Sequence, residues 1–571
     1  MLAWACCLLA LGAAAQPTAP DDAATRELLR QQERERQARE QQQVPDVRLP
    51  VPQDEAAALG RLPLDESPCF PIDRIELRGD AAAQFQWALP AAGRTGSGEA
   101  DPALHRCLGA EGIGRVMHRI QNAIVARGYV TTRVLAAPQD LGSGTLVLTL
   151  VPGRVRAVRF APGTDARATA WNAIPIAPGE LLNLRDIEQA LENFKRVPTA
   201  EADIQITPAE VLPAQAAPRS GESDLAIQWR QGLPFRVSVS ADDSGTRATG
   251  RYQGALNVSY DHWWTLNDLF YVSLLHDLGG DAGSRGTRGY SLHYSVPYGA
   301  WLLAFNSNAN RYHQSVAGAA QTYVYSGDSR SGDVKLSRLV YRDALRKTTA
   351  FLRGWARSSR NFIDDTEVQV QRRRTAGWEL GLGHREFVDA ATLDLNLALR
   401  RGTGAQQALP APEDAFGEGA SRPRIVLADA GLLLPWTWAG QRLRYGAAWR
   451  AQWGATALVP QDRFAIGGRN TVRGFDGESV LSAQRGWLLR NDLGWALADS
   501  GQELYLGLDH GEVGGAGSEN LAGTRLTGAV LGLRGGWRAA TWDLFVGAPL
   551  RKPEAFPTAA RTAGFSATWS F

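Results

Sequence analysis

Leu504-Tyr505-Leu506-Gly507-Leu508-Asp509-His510-Gly511 is the stretch on which the fold turns. Leu504, Leu506 and Leu508 alternate with Tyr505, Gly507 and Asp509, so a strand here carries Asp509 on the face opposite its leucines. In a membrane barrel the leucine face meets lipid and the Asp509 face meets a wet lumen. Upstream lies Gly467-Gly468-Arg469-Asn470-Thr471-Val472-Arg473-Gly474-Phe475, a Gly-rich loop bearing arginine. An arginine on such a loop is an obvious partner for a lumenal carboxylate.

The same alternation recurs from about residue 233 to Phe571. Tyr290, Leu292, Tyr294 and Val296 alternate with Ser291, His293 and Ser295. Leu393, Leu395, Leu397 and Leu399 alternate with Asp394, Asn396 and Arg400, and Leu443, Tyr445, Ala447 and Trp449 with Arg444, Gly446 and Arg450. A soluble sandwich also has period two, but a charged face repeated over many strands fits lipid outside and water inside. At about ten residues per strand plus turns, this region predicts about sixteen strands. A barrel of that size has a lumen wide enough to need a plug.

Composition agrees. The chain has 571 residues, 18 Trp and 60 Gly with mean hydropathy −0.24, and beyond the first fifteen residues it has no apolar run long enough for a spanning helix. Aromatics serve bilayer interfaces and glycines serve turns. A net charge of +2 argues against nucleic-acid binding. With no CxxC, HExxH or P-loop lysine, no metal, cofactor or catalytic residue is expected, and His262 and His293 read as ordinary lumenal or loop residues.

Residues 1–15 form an apolar stretch ending in Ala13-Ala14-Ala15, a signal-peptide pattern. Residues 16–43 are polar and helix-prone, with opposite charges at three- and four-residue spacing and almost no apolar stripe. Such a helix is either a solvated tail or a plug in an aqueous pore. Residues 44–68, with Pro45, Pro50, Pro52, Pro63 and Pro68, describe an extended linker. Cys6 and Cys7 lie inside the leader. Cys69 and Cys107 remain, and in an oxidising compartment they are expected to form a disulfide, two free thiols being the alternative.

Two small α/β units follow, 69–153 and 154–232. In the first, Ile72 to Leu77 reads as a strand, Ile113, Val116, Ile120 and Ile124 share a helix face that Gly128 ends, and strands are predicted over Tyr129–Leu135 and Thr145–Val151. In the second, a strand over Val155–Phe160 precedes a helix capped near Asn183, with Leu184, Ile187, Leu191 and Phe194 at core spacing, and Leu225–Trp229 closes the unit.

Arg127-Gly128-Tyr129-Val130-Thr131-Thr132-Arg133-Val134, Leu182-Asn183-Leu184-Arg185-Asp186-Ile187 and Val472-Arg473-Gly474-Phe475 together resemble two-partner-secretion transporters, the family of haemolysin activators and the filamentous-haemagglutinin transporter. The resemblance covers essentially the whole mature chain. It implies an α+β periplasmic POTRA pair followed by a transmembrane antiparallel β-barrel of about sixteen strands in the bacterial outer membrane. It implies a plug helix before the POTRA pair, and a pore loop near 467–478 whose Arg473 pairs with Asp509. The ending Phe565-Ser566-Ala567-Thr568-Trp569-Ser570-Phe571 resembles the strand read by the outer-membrane assembly machinery, with Trp569 and Phe571 as its signal. The implied function is export of an unfolded exoprotein, of adhesin or cytolysin type. The POTRA domains would capture it and a monomeric transporter would pass it without nucleotide hydrolysis or enzymatic chemistry. The alternative is an outer-membrane protein insertase of the same superfamily. A passive porin is opposed by residues 69 to 231.

Overall fold

The computed structural model describes residues 46–51, 60–210, 217–279 and 285–571. The expectations for the leader and for the polar segment 16–43 lie outside the described residues.

In the first unit, strand Arg74–Arg78 runs parallel to Thr145–Val151, which pairs antiparallel with Arg133–Leu135. Helix α1, Ala110–Ala126, covers this sheet with Val116, Ile120 and Ile124 fully buried, each worth about 1.5–3 kcal/mol relative to exposure. Its first turn has no N-cap side chain. Instead the Glu66 carboxylate accepts N–H bonds from Gly109, Glu111 and Gly112, so a residue of the linker caps the helix. Gly128, at φ 99°, turns the chain out of α1. The strand predicted over Tyr129–Leu135 is shorter than its pattern. Residues 129–132 turn, and Tyr129 meets Phe85 edge-on at 4.9 Å. Phe85 belongs to a 3-10 stretch, Ala82–Gly93, packed on α1. Cys69 and Cys107 are disulfide-bonded, with Cα atoms 5.3 Å apart, Cys107 lying within the strand Arg106–Leu108 that pairs with Phe70–Ile72.

The second unit repeats the plan. Strand Arg154–Phe160 is parallel to Glu222–Gln231, which pairs antiparallel with Ala200–Pro208. Helix α2, Leu184–Lys195, is capped by Asn183, whose side chain accepts from Arg185 N at 2.9 Å. Its apolar face joins Trp229 and Ile227 in the core. Its polar face is buried as well, because the barrel rim covers it: Arg342 of the rim donates to Glu188 at 3.0 Å and to Glu192 at 2.9 Å. Into this seam runs the segment 46–51. Val47, Leu49 and Val51 pack on the core of the unit, the Val47 and Leu49 N–H groups donate to Glu192 and Glu188, and Asp46 meets Lys347 and Arg385.

From Phe235 to Ser570 the chain forms a closed barrel of sixteen antiparallel strands, each paired with its chain neighbours, and a two-residue piece, Thr366–Glu367, extends one hairpin. The strands vary from 8 residues, Phe235–Asp242, to 21, Thr322–Arg342. The longest, at about 3.4 Å per residue, reach well beyond a hydrocarbon core. The leucines of the quoted stretches are exposed on the outer face: Leu395, Leu397, Leu399, Leu506 and Leu508. The opposite faces carry ion pairs such as Arg353 and Arg400 with Glu379, and Arg444 and Arg534 with Glu503. First and last strands close the barrel with five pairs, from Ser238↔Ser570 to Asp242↔Ser566.

The second unit is seated on the barrel by buried polar contacts. The Asn172 side chain donates to Leu266 O and Pro297 O, Asn267 donates to Thr169 O and Asn172 Oδ1, and Asn193 donates to Gly299 O. His262 is fully buried there against Trp229. Asn267 N–H donates to its Nδ1 at 3.0 Å, so Nδ1 is the acceptor and Nε2 carries the proton that is donated to Arg167 O at 2.9 Å. Burial, first, and the nearby Arg167 hold the His262 pKa below its ordinary value.

Candidate functional site

The chain between strands Gln441–Gly454 and Arg485–Ala496 leaves the wall, forms a short hairpin stem from Phe464–Ile466 and Leu481–Ala483, and turns into the lumen. Its tip carries Val472, Arg473, Gly474 and Phe475. A small apolar core holds it to the wall: Phe464, Ile466, Val472, Phe475 and Leu481 pack with Val513, Leu526 and Phe556. Phe475 meets Phe556 edge-on at 5.9 Å.

Arg473 lies on two carboxylates. Its Nε and Nη2 donate to Asp509 at 2.7 Å each, its backbone N–H donates to the same carboxylate at 2.9 Å, and Nη2 donates to Asp492 at 2.6 Å. Asp509 is completely buried and Arg473 nearly so. The planar guanidinium matches the carboxylate with two parallel bonds, which fixes orientation as well as charge. Asp509 and Asp492 stand on neighbouring strands, Gln502–Gly514 and Arg485–Ala496, so one loop arginine ties the tip to two wall strands.

Glycines make the seat. Gly474 has φ 93°, and a Cβ there would stand 2.5 Å from Ala548 O. On the wall, a Cβ at Gly507 would meet Arg473 Nη2 at 2.7 Å, and one at Gly528 would run into the Arg473 carbonyl. Farther along the loop, Arg469 Nη1 donates to Asp243 at 2.9 Å and to Phe565 O at 2.8 Å, while Asp243 accepts from Phe565 N. Asp243 follows the first barrel strand and Phe565 lies in the last, so Arg469 bridges the barrel closure.

The structure therefore brings Val472, Arg473, Gly474, Phe475 and Asp509 together. Asp492, the wall glycines and Arg469 with Asp243 were not singled out in the sequence. The signal available for one of them was Gly507, two positions before Asp509 on the same lumenal face. Cys69 and Cys107 lie in the first unit, remote in sequence from the loop. Trp569 and Phe571 end the last strand on the outside, both exposed, with Phe571 N–H donating to Val237 O of the first strand. Among the described residues no cluster of His, Cys, Asp and Glu is arranged to hold a metal ion.

Three sequence profiles match the chain. Residues 70–153 match the POTRA domain of ShlB type, 154–208 match a POTRA domain, and 221–535 match the haemolysin secretion/activation protein ShlB/FhaC/HecB. The outer membrane transporter CdiB-2 of Burkholderia pseudomallei is 35% identical over 590 residues, covering 99% of this chain and 98% of that one. The structure of CdiB from Acinetobacter baumannii superposes with a TM-score of 0.81 at 27% identity, covering 98% of this chain and all of that one. CdiB from Escherichia coli shares the fold, with a TM-score of 0.82 at 24% identity over 97% of this chain and all of that one. The barrel accordingly sits in the outer membrane with its POTRA domains in the periplasm. The chain belongs to the ShlB/FhaC/HecB family of haemolysin secretion and activation proteins, and it is an outer-membrane transporter that secretes a partner exoprotein by two-partner secretion.

Proposed function

We propose that the partner crosses this barrel as an unfolded, extended chain, captured by the POTRA pair and admitted when the loop 467–478 leaves its seat. The observation that carries this reading is the kind of bond holding the loop. Arg473, Asp509, Asp492 and the Phe475 cluster are ion pairs, hydrogen bonds and packing, all of which can be exchanged without covalent chemistry. No nucleotide or catalytic group is needed for such an exchange, and the working unit is one barrel.

Capture falls to the POTRA pair: in the first sheet the Val134 N–H of the edge strand Arg133–Leu135 is already bonded to Gln121 Oε1, but the second sheet ends in a strand paired on one side only, Ala200–Pro208. An extended partner segment can add there through backbone hydrogen bonds, which need little side-chain specificity. Residues 60–232, which keep the Glu66 cap, should bind the N-terminal domain of the partner exoprotein with modest, salt-sensitive affinity. Equal binding by the barrel alone would overturn the assignment. The polar segment 16–43 acts as a second plug. Deletion of 21–43 should raise conductance in planar bilayers, whereas unchanged conductance would make it a solvated tail. The exposed Trp569 and Phe571 serve as the recognition end for the assembly machinery. Removing Phe571 should lower the amount of barrel in the outer membrane without altering the conductance of what inserts.

A further inference from the structure

Trp171 stands on the loop that follows the first strand of the second POTRA domain, yet its indole is 66% exposed. Its neighbours in sequence explain where it points. Asn172 bonds Leu266 O and Pro297 O, and Gly299 N–H donates to Asn172 O at 2.8 Å, so residue 171 is held at the last rung of the barrel. Its ring meets Tyr298 at 5.9 Å.

Tyr298 belongs to the lipid face. It pairs directly with Trp301, and Trp301, Leu303 and Phe305 are the exposed alternate residues of their strand. Arg338, opposite Trp301 in the next strand, lies on its ring at 5.0 Å. On the neighbouring turn, Trp263 and Trp264 stack at 6.0 Å, and Trp263 also meets Tyr260 and the edge of Phe270 on the outer face. Exposed tryptophans and tyrosines with a nearby arginine, gathered at one rim of a barrel, are the pattern of the bilayer interface, where the rings sit among headgroups and the guanidinium meets phosphate. Trp171 continues that belt, although it comes from a periplasmic domain.

We propose that Trp171 is inserted in the headgroup region of the periplasmic leaflet, so that the second POTRA domain is itself a lipid-binding element, sharing phospholipid with Tyr298, Trp301, Arg338, Trp263 and Trp264. The domain is thus held by lipid on its outer side as well as by the asparagine contacts on its inner side. Swinging it away from the barrel requires drawing an indole out of the interface.

The full-length protein in phosphatidylethanolamine and phosphatidylglycerol vesicles tests this. With Cys69 and Cys107 bonded and Cys6 and Cys7 in the expected leader, Trp171→Cys offers one labelling site. The unsubstituted chain is the control for stray labelling. A bimane at this position should be dimmed by lipids bearing a nitroxide near the headgroup at least as strongly as one at Val334→Cys, which lies deeper on the lipid face, and less by aqueous iodide than one at Glu201→Cys. Dimming by iodide as strong as at the solvent-facing Glu201→Cys, with none from the lipids, would overturn the proposal. So would shielding from both quenchers, which would mean protein covers the site. As a check free of labels, Trp171→Phe should remove part of the tryptophan emission quenched by brominated lipid. An undiminished quenchable fraction would refute insertion.

Discussion

Removal of Arg473 is the sharpest perturbation. The side chain makes three short bonds to two carboxylates, and Asp509 has no exposure to water. Breaking a buried pair by deleting one partner costs about 3–5 kcal/mol, because the other charge is left desolvated and unpaired. At about 1.4 kcal/mol per decade this displaces the docking equilibrium of the loop by roughly a hundred- to several-thousand-fold. Asp509→Ala should be nearly as damaging, since it removes two side-chain bonds and the acceptor of Arg473 N–H. Asp492→Ala should cost less, because this carboxylate is partly solvated and is shared with Arg534. Docking can be read by disulfide trapping between cysteines placed at Val472 and Gly511, where an added Cβ would lie 2.9 Å from the valine methyl. Trapping yield should fall and bilayer conductance should rise, while heat-modifiable mobility shows the barrel still folded. Arg473→Ala combined with Asp509→Ala should be little worse than either alone, giving a coupling nearly as large as the cost of one substitution, about 3 kcal/mol or more. Fully additive defects would refute the pairing as the source of docking.

Gly528→Val should unseat the loop without touching any charge, because the new side chain would occupy the space of the Arg473 carbonyl; trapping between positions 472 and 511 should drop as it does for Arg473→Ala. Cys107→Ser should lower the unfolding midpoint of the first POTRA domain, the loop being closed across 38 residues and worth about 2–4 kcal/mol, and should leave single-channel conductance unchanged. The contact through His262 should depend on pH. Its folded pKa lies below the ordinary 6.5, so the contribution is fully present above pH 6.5 and is lost as pH falls through the depressed value. Amide protection factors at residues 165–172, taken against the intrinsic exchange rate at each pH, should fall at acid pH, and His262→Gln should flatten that dependence.

Much of this was legible in the residues. The 3.6-residue spacing of Val116, Ile120 and Ile124 marks α1, and period-two leucines mark the barrel wall, because each of these elements buries or exposes one face only. Asp509 stood out through its place among leucines. Asp492 did not, because the lumenal faces carry many charges and only the folded loop shows which of them an arginine reaches. The 3-10 stretch Ala82–Gly93 has Pro90 inside it and too little periodicity to read. Tyr129 to Thr132 is rich in strand-forming residues, yet packing of Tyr129 on Phe85 bends it into a turn. The junction polar residues, His262, Asn267 and Asn172, read as ordinary loop composition, since nothing local shows that a second surface will cover them.

The anchoring of residues 46–51 is a statement about leash length. Asp46 is fixed at the rim by Lys347 and Arg385, so the chain is tethered there. Among the described residues the next held position is Gly60, whose carbonyl accepts from Arg119 Nη2 at 2.9 Å. If all the contacts of residues 46–51 are released, the tether passes from position 46 to position 60, and the fourteen residues between them (60 − 46) add about 48 Å of fully extended chain. The contacts of residues 46–51 thereby set where the chain ahead of the first POTRA domain is tethered, at the barrel rim or at that domain itself.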